Sequence, residues 1–179
     1  SAGFGTASAQ SGGSALNLAM VAEPPTLDIQ STPADLVCII MQHVYEPLFT
    51  FDAKAALVPM LAESMPKISA DGKSYAITLR KGVKLHSGRD LNADDVVASL
   101  KRWMEVSPRG KSVNAQVASL AAKGPLTVEI ALKSAYAPLL AQLAMPSGMA
   151  AIMAKETLAQ PLKEFVGTGP YQFKERKPD

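Results

Sequence analysis

Hydrophobic and polar positions change period several times along the chain, and each change marks a short element. Leu16 to Val21 alternates apolar with small or polar residues, which predicts a first strand. Glu23-Pro24-Pro25 stops it, because proline donates nothing to a ladder and forces its predecessor into extended conformation. Thr32 as N-cap, Pro33 at the first helical position and Asp35 in the first turn predict a helix, whose apolar period runs through Leu36, Ile39, Ile40 and Val44 to Tyr45. Leu48 to Phe51 reads as a short strand ending in a turn at Asp52-Ala53-Lys54, and Leu57 to Met65 as a helical turn. Lys67 to Ser69 and Ser74 to Arg80 are predicted strands joined through Ala70-Asp71-Gly72, with Tyr75, Ile77 and Leu79 on one face of the second. A further short strand is expected at Val83 to His86. The best-capped helix follows, with Asn92 as N-cap, Asp94 and Asp95 in its first turn, and an apolar stripe of Val96, Val97, Leu100, Trp103 and Met104 that assigns Trp103 to the core. Beyond it the pattern predicts a loop at Ser107 to Gly110, a helix at Val113 to Ala121, a strand at Leu126 to Leu132 and a helix at Ala137 to Leu143. A break at Met145-Pro146-Ser147-Gly148, a short strand at Ala150 to Met153, a sharp loop at Gly167 to Pro170 and a strand from Tyr171 complete the series. The fold class is α/β in the mixed α+β sense.

Composition narrows the possibilities. A chain of 179 residues buries a core without metal or disulfide help. Hydrophobic residues are 47% of it, but 28 of these are Ala, so the larger apolar side chains stand at an ordinary level for a globular protein. A net charge of +2 lacks the concentrated basic face of a nucleic-acid partner. Residues 1–72 carry seven acids and two bases, and residues 73–133 carry eleven bases and five acids. The basic middle block reads as a solvated face, because Asp90, Asp94, Asp95, Glu105 and Glu129 are interleaved with it. No stretch approaches the ~18 consecutive apolar residues of a membrane span. Residues 1–15 are small and polar and are expected to be a disordered tail, with Ala7-Ser8-Ala9 as the scar of signal-peptide processing.

Catalytic chemistry finds no constellation. His43 and His86 lie on different elements and share no ligand spacing, so His43 reads as a helix-face residue and His86 as a solvated turn residue. Cys38, the one cysteine, lies in the apolar run Leu36 to Ile40 and reads as a buried, inert thiol. Asp94 and Asp95 are explained by the helix start. Gly167-Thr168-Gly169 lacks the remaining residues of a phosphate-binding fingerprint and precedes a strand rather than a helix. Neither an enzyme nor a cofactor is expected.

The order of segments carries a resemblance. Glu23-Pro24-Pro25-Thr26-Leu27-Asp28 follows the first strand, and Tyr45-Glu46-Pro47-Leu48 ends the first helix. Ser69 to Tyr75 leads into Ile77 to Gly88, then come Leu91 to Leu100 and finally Gly167-Thr168-Gly169-Pro170-Tyr171. Over residues 16–177 this series resembles the family 5 solute-binding proteins of bacterial ABC importers, which carry peptides, nickel complexes and related solutes. The resemblance implies a periplasmic-binding-protein-like lobe. Residues 1–15 would be the tail, 16–47 the start of the first lobe, 48–165 an inserted mixed α/β domain and 166–179 the return to the first lobe. Family members are more than twice this length, so an N-terminal fragment without the second lobe is expected. The implied role is capture of a peptide, opine or chelate solute in the periplasm and its delivery to a membrane permease, with closure as a ligand-driven population shift. A chaperone or sensor module of the same fold is the alternative reading, and a hydrolase is disfavoured because neither histidine is placed as a base.

The resemblance also implies where a solute sits. The walls would be Glu23 to Asp35, Val106 to Asn114 and Leu143 to Ala151. Glu23 is a candidate for a cationic group, Thr26 and Ser31 for neutral contacts, Arg109 and Lys111 for a carboxylate, and Met145 and Ser147 for the third wall. Some nickel-binding members carry an Arg shortly after the proline that matches Pro146; here the sequence reads Ser147-Gly148-Met149, which disfavours an anionic chelate held by that route. No metal ligands and no nucleic-acid contacts are expected. With half a cleft, solute binding by these residues alone is expected to be weak or absent, and exposed apolar surface is expected to favour self-association.

Overall fold

A computed structural model describes residues 18–177. The processing scar and the first two residues of the predicted opening strand lie outside that range.

One helix organises the rest. α2 (Ala93–Val106) begins with the expected capping box: the Asn92 side chain accepts from the Asp94 and Asp95 amides, and the Asp95 carboxylate accepts from the Asn92 amide. Its apolar stripe buries Val96, Leu100, Trp103 and Met104 against a four-stranded antiparallel sheet. That sheet has the order β3 (Lys67–Ile68), β4 (Ser74–Thr78), β6 (Thr127–Leu132), β5 (Val117–Gly124). Register pairs Tyr75 with Ile130 and Ile77 with Val128, so the alternation read in the sequence becomes one buried face. A two-stranded ribbon, β1 (Phe49–Phe51) with β2 (Leu57–Pro59), lies beside it, packed against α4 (Leu139–Ala144).

A second, smaller core gathers Leu27, Ile29, Val37, Met41, Val44 and Tyr45 around α1 (Asp35–Met41). The two cores share one extended segment. Met149, Ala151 and Met153 belong to the smaller core, while Ala150, Ile152 and Ala154 belong to the larger. Side chains of an extended chain alternate sides, so residues 149–154 form a partition buried on both faces.

A partition with so few strand neighbours needs other partners for its backbone. α2 supplies them from positions four apart on one face. The Asp95 carboxylate accepts from Lys155 N–H at 3.0 Å. The Ser99 hydroxyl donates to Met153 O at 3.1 Å and accepts from Met153 N–H at 2.9 Å. Trp103 Nε1–H donates to Gly148 O at 2.9 Å. From the other side the Gln30 amide donates to Ala151 O at 2.9 Å and to Ser99 O at 3.1 Å. Main-chain bonds add Ile152 N–H to Glu46 O and Ala154 N–H to Val166 O. A buried ion pair completes the lock: Arg102 holds Asp28 in a fork at 2.6 and 3.1 Å and donates to Gln30 Oε1 at 2.8 Å.

The Gly167–Tyr171 loop docks onto the end of the first helical region. Gly169 and Tyr171 amides donate to Val44 O and His43 O. A side chain at residue 167 would lie 2.3 Å from Val44 O, and one at 169 would lie 2.4 Å from His43 O, so both glycines are required by close approach. His86 clamps the same loop. Its Nδ1 accepts from Gly167 N–H at 3.2 Å, so Nε2 carries the proton and donates to Gly169 O at 2.7 Å. The expected solvated turn residue is therefore a half-buried tie.

Several boundaries differ from the sequence expectations. Leu18 to Val21 forms no strand. α1 starts at Asp35, two residues later than expected, and ends at Met41; Thr32 Oγ1 accepts from Ala34 N–H and caps no helix. Leu57 to Pro59 is a strand rather than a helical turn, because it pairs with β1. Val83 to His86 retains one bridge, between Lys84 and Asp90, and Ala150 to Met153 one, between Ile152 and Glu46. Tyr171 to Lys174 is not a strand among the described residues. The predicted loop at 107–110 is the start of α3 (Pro108–Gln116), and the second half of the predicted helix at 113–121 is β5. Pro108 occupies the first turn, where its missing N–H costs nothing. Gly110 sits in a helix because a Cβ there would lie 2.0 Å from Trp103 O on α2. Among the described residues no helix is long and apolar enough to cross a membrane.

Candidate functional site

The three walls named from the sequence converge at one turn. Gly148, at φ +57°, is its centre: a Cβ there would lie 3.8 Å from Ser107 Oγ and Thr32 O and 3.9 Å from Pro33 Cα. The loop before α1, the start of α3 and the 145–148 turn thus meet around one residue. The Cys38 thiol on α1 donates to Pro146 O at 3.2 Å, and Arg109 on α3 donates to Ser147 O and, at 3.4 Å, to Ser147 Oγ. Because Trp103 holds Gly148 O from beneath, the turn is anchored to the core on one side and open on the other. Pro33, Met145 and Pro146 are exposed there, giving the surface an apolar character with few polar groups.

Electrostatics single out Arg109. Burial lowers its pKa, with the Cys38 side chain acting in the opposite direction. Burial also raises the Cys38 thiol, offset in part by a hydrogen bond at Gly148; it is a buried neutral group, as its apolar run indicated. Among the described residues neither the half-buried Arg109 nor the exposed Arg80 pairs with a carboxylate, whereas Arg89, Arg102 and Arg176 each hold one at 2.6–2.8 Å.

The other expected contacts are distributed differently. The Glu23 carboxylate accepts from Arg176 at 2.6 Å, and the same guanidinium donates to Pro24 O, so Glu23 ties the 167–177 segment to the loop. Thr26 Oγ1 accepts from Asp28 N–H at 3.1 Å and the Ser31 hydroxyl donates to Asp28 O at 3.0 Å, so both shape the turn that presents Asp28 to Arg102. Lys111 is exposed and stands two residues beyond Arg109, about 200° around the helix. The structure brings Arg109, Ser147 and Met145 together, and leaves Lys111 and Glu23 outside that group. Sequence reasoning missed Gln30, Ser99 and Arg102, which hold the walls in place. The spacing of Ser99 and Arg102 on α2 was readable, but their partners, Met153 and the Asp28–Gln30 turn, lie 54 or more residues away in the chain. No group of three metal-ligating side chains occurs among the described residues.

The comparisons place the chain in a class. Structures sharing this fold are periplasmic binding proteins. A dipeptide-binding protein from Pseudoalteromonas sp. SM9913, in complex with Met-Leu, superposes with a TM-score of 0.77 at 30% identity over 87% of this chain and 36% of its own. A NikA from Brucella suis, in complex with Fe(III)-EDTA, gives 0.71 at 33% identity over 78% and 29%. Among curated proteins, the glutathione-binding protein GsiB of Pectobacterium atrosepticum is 34% identical over 154 residues, 83% of this chain and 29% of its own length. The family described as bacterial extracellular solute-binding proteins, family 5, matches residues 56–179, and the chain belongs to that family. It spans about three tenths of the length of the curated relatives it matches.

Proposed function

We propose that this chain forms one wall of the binding cleft of an ABC-importer receptor, working outside the cytoplasmic membrane on a peptide or peptide-like solute that it hands to a membrane permease. The observation that carries the reading is the convergence of residues 32–33, 107–109 and 145–148 around Gly148. Support comes from relatives described as binding glutathione, the dipeptide Met-Leu or, for an ABC transporter-associated protein of Helicobacter pylori at 27% identity and a TM-score of 0.72, the peptide STSA. In this reading residues 16–47 and 166–179 belong to the first lobe and 48–165 to an inserted domain. The opposite wall would come from a second lobe, and closure of the two would be driven by the solute.

A thermal-shift screen of the 179-residue chain at 10 mM dipeptide, glutathione, opine or nickel–histidine complex tests the reading. One wall alone should bind in the millimolar range. Tenfold excess over such a dissociation constant adds about 1.4 kcal/mol and raises the melting temperature by about 3–5 °C. No shift with any of the four classes in either this chain or the full-length receptor would contradict solute capture, and saturation of this chain at micromolar concentration would contradict the single-wall geometry.

A further inference from the structure

We propose that Gln30 is a positioning residue of the solute wall. Its carboxamide sets how the loop before α1, the start of α3 and the 145–148 turn stand relative to one another, and solute affinity depends on it although it touches no solute. The inference rests on the solute-binding reading above and adds what fixes the shape of that site.

Gln30 is fully buried, so it does not reach the open face of the turn. Its carboxamide makes three bonds, each to a distant part of the chain. Oε1 accepts from Arg102 on α2 at 2.8 Å. Nε2 donates to Ser99 O on α2 at 3.1 Å and to Ala151 O on the partition at 2.9 Å. A guanidinium only donates and main-chain carbonyls only accept, so the carboxamide has a single orientation and both of its protons are used. The main chain beneath it is fixed as well. Asp28 Oδ1 accepts from Gln30 N–H at 3.2 Å, and the same carboxylate lies in the Arg102 fork. Among the described residues no other side chain of the 23–33 loop bonds both α2 and the partition: Asp28 reaches only Arg102, and Glu23, Thr26, Ser31 and Thr32 bond elsewhere.

Each wall leaves the core close to one of these partners. Thr32 stands two residues beyond Gln30, Gly148 three residues before Ala151, and Ser107 five residues beyond Arg102. Those are the residues that meet around Gly148. A displacement of the loop against the partition therefore changes the spacing of the walls directly. Removing the carboxamide strips Ala151 O and Arg102 of a partner inside the core, and movement of the loop is what relieves that cost. Walls held at their spacing before the solute arrives lose less freedom on binding, which is where preorganised sites gain affinity.

The test compares two variants with the parent 15N-labelled chain. Gln30→Met keeps the length of the side chain and deletes the carboxamide. Gln30→Asn keeps the amide, shortens its reach, and decides the question if the apolar variant does not fold; the β4 and β6 spectra report folding. Residual dipolar couplings read the orientation of α1 against β4 and β6, and a titration with the dipeptide Met-Leu, followed at the Gly148 amide, reads affinity. In the parent, α1 and the sheet should fit one alignment frame, and the Gln30 Nε2 protons should exchange slowly. In Gln30→Met the α1 couplings should require a frame of their own, and Met-Leu should bind about tenfold more weakly, with Gln30→Asn in between. Ile77→Val weakens the sheet core without touching the walls; it should lower the melting temperature and leave frame and affinity unchanged, which separates positioning from stability. One common frame in both Gln30 variants, an altered frame with unaltered affinity, or an equal loss of affinity in Ile77→Val would overturn the inference and leave solute capture standing. A parent chain whose loops Met-Leu leaves unshifted would overturn the inference, and solute capture with it if the full-length receptor is equally silent to every solute class.

Discussion

Asp95 combines three tasks in one fully buried carboxylate. It closes the capping box of α2, pairs with Arg89 at 2.8 Å through both oxygens and receives Lys155 N–H from the far end of the partition. Burial opposes its ionisation, but the hydrogen bonds from Arg89, Lys155 and Asn92 outweigh it and hold the pKa below the usual carboxylate value. A carboxyl group whose folded pKa lies below its unfolded one contributes stability that is present above the unfolded value, ~4, and lost as pH falls through the folded one. Thermal melts from pH 7 to pH 2.5 should therefore show a destabilisation below about pH 4 that is smaller in Asp95→Asn. At pH 7 that variant should lose on the order of 3 kcal/mol, because Arg89 and two backbone amides lose a charged acceptor. A variant with an unchanged acid limb would remove Asp95 from the account. The sequence identified Asp95 as a helix-start residue and nothing more. Its second partner is 60 residues away, and no local pattern announces it.

At the scale of elements, what was legible was what depends on neighbours in the chain. α2 with its cap, the 67–78 hairpin and β6 follow from periodicity and turn residues. β5 and α3 were misread for a physical reason: Val117 to Gly124, with three alanines and one lysine, carries no strand propensity of its own and is extended because β6 and α2 pack on it. Residues 150–153 of the partition were read as a short strand, yet the Ser99 and Gln30 side chains satisfy as much of the partition's backbone as main-chain partners do. Ser99 is the test of that arrangement. Ser99→Ala leaves the buried Met153 N–H and C=O without their hydroxyl partner and should cost about 2 kcal/mol. Hydrogen exchange at the Met153 amide should rise by more than global destabilisation explains, since the partition loosens locally. Unchanged protection there would show that the packing of Met153 alone holds the segment.

On the scale of the whole molecule, the two cores share a partition, and the candidate wall lies where that partition begins, at Gly148. The order of motifs along the chain was enough to place it in its family before any contact was known, since that order reflects how the chain threads from one core to the other and back. The selection of wall residues was less legible. Glu23, Thr26 and Ser31 were chosen as free polar groups, and each has a partner inside the protein. Arg109 was chosen on the same ground and pairs with no carboxylate among the described residues. The measurement that bears most directly on the wall is a chemical-shift map of the 15N-labelled chain under saturating dipeptide. The account predicts perturbations concentrated at residues 32–35, 107–111 and 145–149, with the sheet at β4 and β6 silent. Perturbations centred on the sheet face, or scattered without a focus, would contradict it.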